Sequence, residues 1–286
     1  MVFCVVLLAT KSNAQIDASM SIKQMEDSLV VTADSMYSAF LPDTRIGYSE
    51  RFARQLVRAL KTPDSWNYSF PALSKKINIL YPDDKSFRIF NWEIAPMEES
   101  RRYYGAIQLP SKQLKLYGLV DHSAQLGKGA EDSILEGGKW FGCLYYRIHQ
   151  EESDGQKHYL LFGRNAAGRL SNKKVLEPFS ITPSGPVFGS PEFAVSSETN
   201  PNQRINRFIL EYKKGVQVAM NWDDERKAIY FDDLVSAVND PGRKYTYVPS
   251  GQMNGFRWDG RQWNYMQDMI SIVPRKDGEA PVNEPK

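Results

Sequence analysis

Carboxylates are the most abundant chemical resource of this chain. Glu93, Asp121, Glu177, Asp223, Asp224, Asp232 and Asp233 stand on or beside segments that read as strands. Two acids held about 5 to 9 Å apart across a sugar-binding cleft could cleave a glycosidic bond, one as acid and the other as nucleophile or base. Chain spacing does not set that distance. Asp223 to Lys227 reads most simply as a solvated turn, and Asp232-Asp233 as the cap of a short helix over Leu234 to Val238. A calcium site built on Asp223 or Asp232 would lack the usual ligand spacing.

Other constellations are weaker. Asp121-His122-Ser123 sets three triad residue types side by side, but triads are assembled in space from separate segments. His149 and His158 flank one polar loop and could face each other across a hairpin. Two histidines without a third ligand make a poor metal site. HExxH, GxSxG, P-loop, CxxC and EF-hand patterns are absent. Gly127-Lys128-Gly129 lacks the strand-turn-helix context of a nucleotide fingerprint. We therefore assign no catalytic residue, no metal ligand and no cofactor from the sequence.

The aromatic residues offer binding chemistry instead. Asp259-Gly260 is a strong two-residue hairpin signal, because glycine accepts the positive φ of that turn. It would pair Trp258 with Arg261, Phe256 with Trp263 and Asn254 with Tyr265. Phe256, Trp258, Trp263 and Tyr265 would then share one face. That face either closes the core or forms a stacking platform for sugar rings. On the second reading Trp258 and Trp263 are the ligand-binding candidates.

These residues need elements to position them. Ile22, Met25, Leu29, Ala33, Met36 and Phe40 recur at three- and four-residue spacings, predicting a helix over about 19–40 with Ser21 as cap. Leu41-Pro42-Asp43 stops it. Phe52, Leu56 and Leu60 mark a second helix from about Ser49 to Leu60, so 15–65 forms a helical pair. Beyond Trp66 the period becomes two. Strands are predicted at Ile77–Tyr81, Phe87–Trp92, Tyr103–Leu109, Leu114–Val120, Trp140–Ile148, His158–Phe162, Phe208–Tyr212, Val216–Trp222 and Ala228–Phe231. Short turns join many of them, so neighbours pair antiparallel. The fold class is mainly β (α+β): an antiparallel meander over 66–273 after an N-terminal pair of helices. A sheet this long must curl into a barrel, split into a sandwich or form a propeller-like array.

The chain has 286 residues, enough to bury a core without disulfides or metals. Its 36 Lys+Arg against 34 Asp+Glu leave a net charge of +2, and its basic residues are dispersed, which argues against nucleic acid as a partner. The apolar run Met1 to Ala9, with Ser12 and Ala14 at −3 and −1 of a cut before Gln15, reads as a secretory signal over 1–14. No Lys or Arg precedes the run, and Cys4 has no lipobox. Export would leave Cys143 as the only cysteine, and its apolar neighbours make it a buried, inert thiol. No segment of the mature chain is long and apolar enough to cross a membrane. The polar tail over 274–286 reads as disordered.

Five stretches taken together carry a resemblance. They are Pro82 to Glu93, Tyr159 to Asn165, Phe208 to Tyr212, Ile229 to Leu234, and Tyr247 to Gly251 with Gly255-Phe256. As a set, over residues 20 to 268, the chain resembles an uncharacterised family of exported, β-rich proteins of Gram-negative bacteria. That resemblance implies a periplasmic or cell-surface location and a β-rich unit behind a helical preface. It supplies no activity and no site residue. The expectation for function is a non-catalytic binding module for a glycan, a peptide or an envelope protein. A glycan-directed hydrolase with paired carboxylates is the alternative.

Overall fold

The computed structural model describes residues 20–97, 99–195 and 203–271. The expected signal over 1–14 and the tail over 274–286 lie outside the described residues.

Helix α1 (Ile22–Ser38) opens on a capping box, in which Ser21 Oγ accepts from Gln24 N and Gln24 Oε1 accepts from Ser21 N. Helix α2 runs over Pro42–Leu60 and so starts earlier than the predicted Ser49. Pro42 does stop α1, but as the first residue of α2 its fixed φ and missing N–H suit a helix start. The helical pair is thus present, with only Ala39 to Leu41 between its members.

Three sheets follow. The first holds β1 (Asn78–Leu80), β2 (Arg88–Ile94), β3 (Arg102–Leu109), β4 (Lys115–Asp121) and β5 (Lys139–Trp140) in that order. The second is built from β6 (Leu144–Ser153), β7 (Gln156–Asn165), β8 (Ser171–Thr182) and β9 (Gly185–Phe188). The third includes β10 (Phe193–Ala194) and β11 (Arg204–Ile205). Strand β12 (Phe208–Lys213) returns to the second sheet beside β8. Strands β13 (Met220–Asp223), β14 (Ala228–Ser236), β15 (Tyr247–Trp258) and β16 (Trp263–Ser271) complete the third. All pairings are antiparallel except the two-residue β4–β5 and β10–β16 contacts. The mainly β, antiparallel class with an N-terminal pair of helices is therefore what the protein adopts.

Period two explains how the sheets stack. Along β2, Ile89 enters one core cluster while Phe90 and Trp92 enter another with Leu29, Phe52 and Leu56 of the helices. Along β7, Leu161 joins Ile89, while Leu160 and Phe162 join Met220, Phe231 and Phe256 of the third sheet. Strands apolar on both faces need cover on both faces, so helices, first sheet, second sheet and third sheet form successive layers. Three sheets and a helical pair thus share three core clusters.

Buried polar groups fasten the layers. Arg88 is fully buried on β2 and donates to Gln108 Oε1, the Tyr81 hydroxyl and the backbone oxygens of Ser65 and Tyr68. Its guanidinium also lies against the rings of Trp66, Phe70, Tyr81 and Phe90. Glu177 of β8 and Arg207 are both fully buried and form an ion pair, with the Tyr145 hydroxyl donating to the other oxygen of Glu177. Arg207 also donates to Ala130 O, which ties the loop before β5 to this point.

Four local expectations are corrected. Strand β13 covers only Met220–Asp223, because the preceding Ala219 N donates to Asp232 Oδ2 at 2.6 Å instead of entering a ladder. Val218 is nonetheless buried, as the alternation required. Leu234 to Ser236 extend β14 and do not start a helix, since they pair with Pro249 to Tyr247. Phe141 to Cys143 interrupt the predicted Trp140–Ile148 strand. In the last hairpin the loop has four residues: Asp259 N donates to Gln262 O, and Asp259 Oδ1 accepts from Arg261 N and Gln262 N. Trp258 therefore pairs with Trp263 and Phe256 with Tyr265. The register differs by two from expectation, an even step, so the four aromatic residues still share a face. Asn254 sits in a bulge and does not pair with Tyr265.

Candidate functional site

A groove of about 350 Å³ opens where β12 of the second sheet meets β14, β15 and β16 of the third. The bulge between Asp232 and Leu234 brings two successive acids, Asp232 and Asp233, to its wall. Glu211 and Lys173 reach it from directly opposed positions of β12 and β8. Glu131 comes from the loop before β5, Lys244 from the 3-10 turn that precedes β15, and Tyr247 is the first residue of β15. Tyr265, 43% exposed, and the rings of Phe208 and Phe231 add the aromatic part.

Each acid of the groove has one oxygen fixed by a neighbour. Glu131 Oε1 accepts from Ile209 N at 3.0 Å, Asp232 Oδ2 from Ala219 N, and Asp233 Oδ1 from Asn254 Nδ2 at 2.9 Å. Glu211 Oε1 accepts from Ser171 Oγ, and its other oxygen lies 3.9 Å from Lys173 Nζ. Among the described residues no hydrogen bond engages the second oxygens of Glu131, Asp232 and Asp233. Burial raises the Glu131 carboxyl above its ordinary value against the pull of the Ile209 N–H. Burial, followed by the charges of Asp233 and Asp268, raises the Tyr265 phenol. The groove thus presents oriented acceptors, three lysines (Lys128, Lys173 and Lys244) and tyrosine rings together.

The tryptophans singled out from the sequence lie elsewhere. Trp263 is 1% exposed, beneath Trp222 and His149, and offers no ring face to solvent. Trp258 is half-buried, with its ring centroid 5.2 Å from that of Trp263. His149 and His158 do not oppose each other, since the register pairs His149 with Leu160 and Glu151 with His158. They are diagonal neighbours. His149 lies on Trp222 at a centroid distance of 3.8 Å and bonds Glu151 at 2.8 Å. His158 contacts Trp258 and approaches Glu192 at 3.7 Å.

The remaining candidate acids are occupied structurally. Asp121 Oδ1 accepts from Ser123 N and Gly142 N, so Asp121, His122 and Ser123 form a turn. Glu93 pairs with Arg164 at 3.0 Å, and Asp224 accepts from Trp222 Nε1. Asp223 closes the β13–β14 turn by accepting from Glu225 N and Arg226 N. Cys143 is fully buried, and burial pushes its thiol well above the ordinary value. Among the described residues, no three His, Cys, Asp or Glu side chains are grouped to hold a metal ion, and no helix is long and apolar enough to cross a membrane.

Of the groove residues, Asp232, Asp233 and Tyr265 stand among the chemical candidates of the sequence, and Gly127-Lys128 belongs to the glycine motif set aside there. Adjacent acids inside the strand run Ile229 to Leu234 are the available signal, because Asp is depleted in strands. Glu131, Lys173, Glu211 and Tyr247 carry no local signal and meet only through long-range pairing. Comparison with protein-family models, with curated proteins and with solved structures found no match for this chain.

Proposed function

We propose that this chain is an exported, periplasmic or cell-surface module that binds a glycan in the groove between β12 and β14–β16 without transforming it. The observation that carries this reading is the groove's set of oriented carboxylate acceptors beside Tyr247 and Tyr265. Sugar hydroxyls supply the donors such acceptors need, and tyrosine rings supply flat faces for pyranose C–H groups. The non-catalytic reading is supported by the structural hydrogen bond each acid makes. Export is supported by the apolar run Met1 to Ala9 and the small residues Ser12 and Ala14.

A screen of the full chain against glycan and peptide libraries tests this. Retention of a glycan by the wild type, reduced by Tyr247→Ala and Tyr265→Ala, is the expected result. Retention of peptides alone would replace the ligand class, and retention of nothing at high protein concentration would overturn the proposal.

One observation favours the hydrolase as a second reading. Glu131, whose carboxyl burial raises, shares the groove with Asp232 and Asp233, which fits a proton donor set beside a second carboxyl group. Release of new reducing ends from a retained glycan, abolished by Glu131→Gln, would establish it.

A further inference from the structure

A second cavity, of about 560 Å³, lies on the seam between the first and second sheets, at the end where the β3–β4 and β6–β7 turns come together. Leu109 and Pro110 form part of its wall from the β3 end, and Ile181 from β8. Lys115, Lys157, Ser86 and Tyr159 supply the polar part. Its volume falls within the usual range of small-molecule pockets, about 300–1,000 Å³. Among the described residues no carboxylate lines this cavity, whereas the groove mixes carboxylates with lysines.

Asp84, which bonds three of the lining residues, is already committed. It accepts from Lys157 Nζ at 2.7 Å, the Tyr159 hydroxyl at 2.9 Å and Ser86 N at 3.0 Å. The Ser86 and Tyr159 hydroxyls are themselves 2.9 Å apart. This network fixes one polar wall and neutralises Lys157. Lys115, exposed on β4, has no ion-pair partner among the described residues. One uncompensated cation thus stands beside an apolar wall and a row of hydroxyl groups.

We propose that this seam cavity binds an amphipathic anion, with its acidic head on Lys115 and its hydrocarbon body along Leu109, Pro110 and Ile181. Carboxylate and phosphate heads share the required chemistry. The test is calorimetric titration of the full chain with decanoate, decyl phosphate and decyltrimethylammonium, each below its micellar concentration. The expected result is one saturable site for at least one of the two anions, with the tighter of them identifying the head group. Affinity should fall at least tenfold in Lys115→Gln and return in Lys115→Arg, while Tyr265→Ala in the separate groove leaves it unchanged. Lys115 is exposed, so Lys115→Gln should keep the wild-type circular dichroism spectrum. Equal binding of the anions and the cation, unchanged affinity in Lys115→Gln, or no saturable binding of either anion would overturn the proposal.

Discussion

Glu177 shows how a residue type that suggests chemistry can be spent on architecture. It stands on β8 among Val175, Phe179 and other core residues, at 0% exposure, opposite an equally buried Arg207. Burial raises its carboxyl, and the Arg207 charge with the Tyr145 hydroxyl works against that rise. Removing one member of such a pair leaves an uncompensated buried charge, which costs about 3–5 kcal/mol. Glu177→Ala should therefore lose about that much in urea unfolding, whereas a loss below about 1 kcal/mol would contradict the pairing. Asp84 makes a pH prediction. Partial burial alone would raise its carboxyl, but hydrogen bonds from Lys157, Ser86 and Tyr159 outweigh it and hold the pKa at about 2, below the ordinary 3.8. A depressed folded pKa contributes stability that is present above the unfolded value and lost as pH falls from 3.8 toward 2. Asp84→Asn should flatten the wild-type loss of stability across that window in pH-dependent unfolding. An unchanged slope would mean that Asp84 is not held this way.

Among the elements, those set by local chemistry were readable from the sequence and those set by distant partners were not. The cap at Ser21, the β1–β2, β3–β4 and β6–β7 hairpins and the shared aromatic face of β15 and β16 follow from periodicity, cap and turn residues. Strand β12 reads as the first arm of a hairpin with Val216–Trp222, yet it pairs with β8, more than thirty positions earlier in the chain. The turn bond from Val216 N to Lys213 O and the claim of Asp232 Oδ2 on Ala219 N both stand where the predicted strand is cut short, and the second contact is invisible locally. The junction of β4 with the segment before β6 behaves similarly. A β-carbon added at Gly142 would lie 2.0 Å from Asp121 Cγ, while Asp121 Oδ1 holds Gly142 N and Ser123 N. Gly142→Ala should displace Asp121, strand those donors and cost about 1–3 kcal/mol. Asp121→Ala should cost a similar amount, and the double variant less than the sum, because both changes break the same contacts. Additive losses in thermal unfolding would contradict this.

The molecule as a whole is a stack in which β2 and β7 bury both faces, so the two sheets they belong to are each covered twice. That stacking consumes most of the large aromatic residues. It places Trp92, Trp140 and Trp263 in the core and leaves tyrosines to line the open groove. The sequence put Phe256, Trp258, Trp263 and Tyr265 on one face but did not show how deeply each is buried, because burial of one hairpin face against another sheet is a property of the assembled layers. Asp232 and Asp233 reach the groove on a bulged strand and not at a helix start.

The central claim is that the groove between β12 and β14–β16 recognises a glycan. Its most direct test is nuclear magnetic resonance titration of the isotope-labelled full chain with the glycan retained most strongly in the library screen. The account predicts saturable shifts confined to Glu131, Glu211, Asp232, Asp233, Tyr247, Tyr265 and their neighbours, with affinity at least tenfold weaker in Tyr265→Ala. Shifts centred on Trp258 and His158 instead, or an affinity unaffected by Tyr265→Ala, would contradict it.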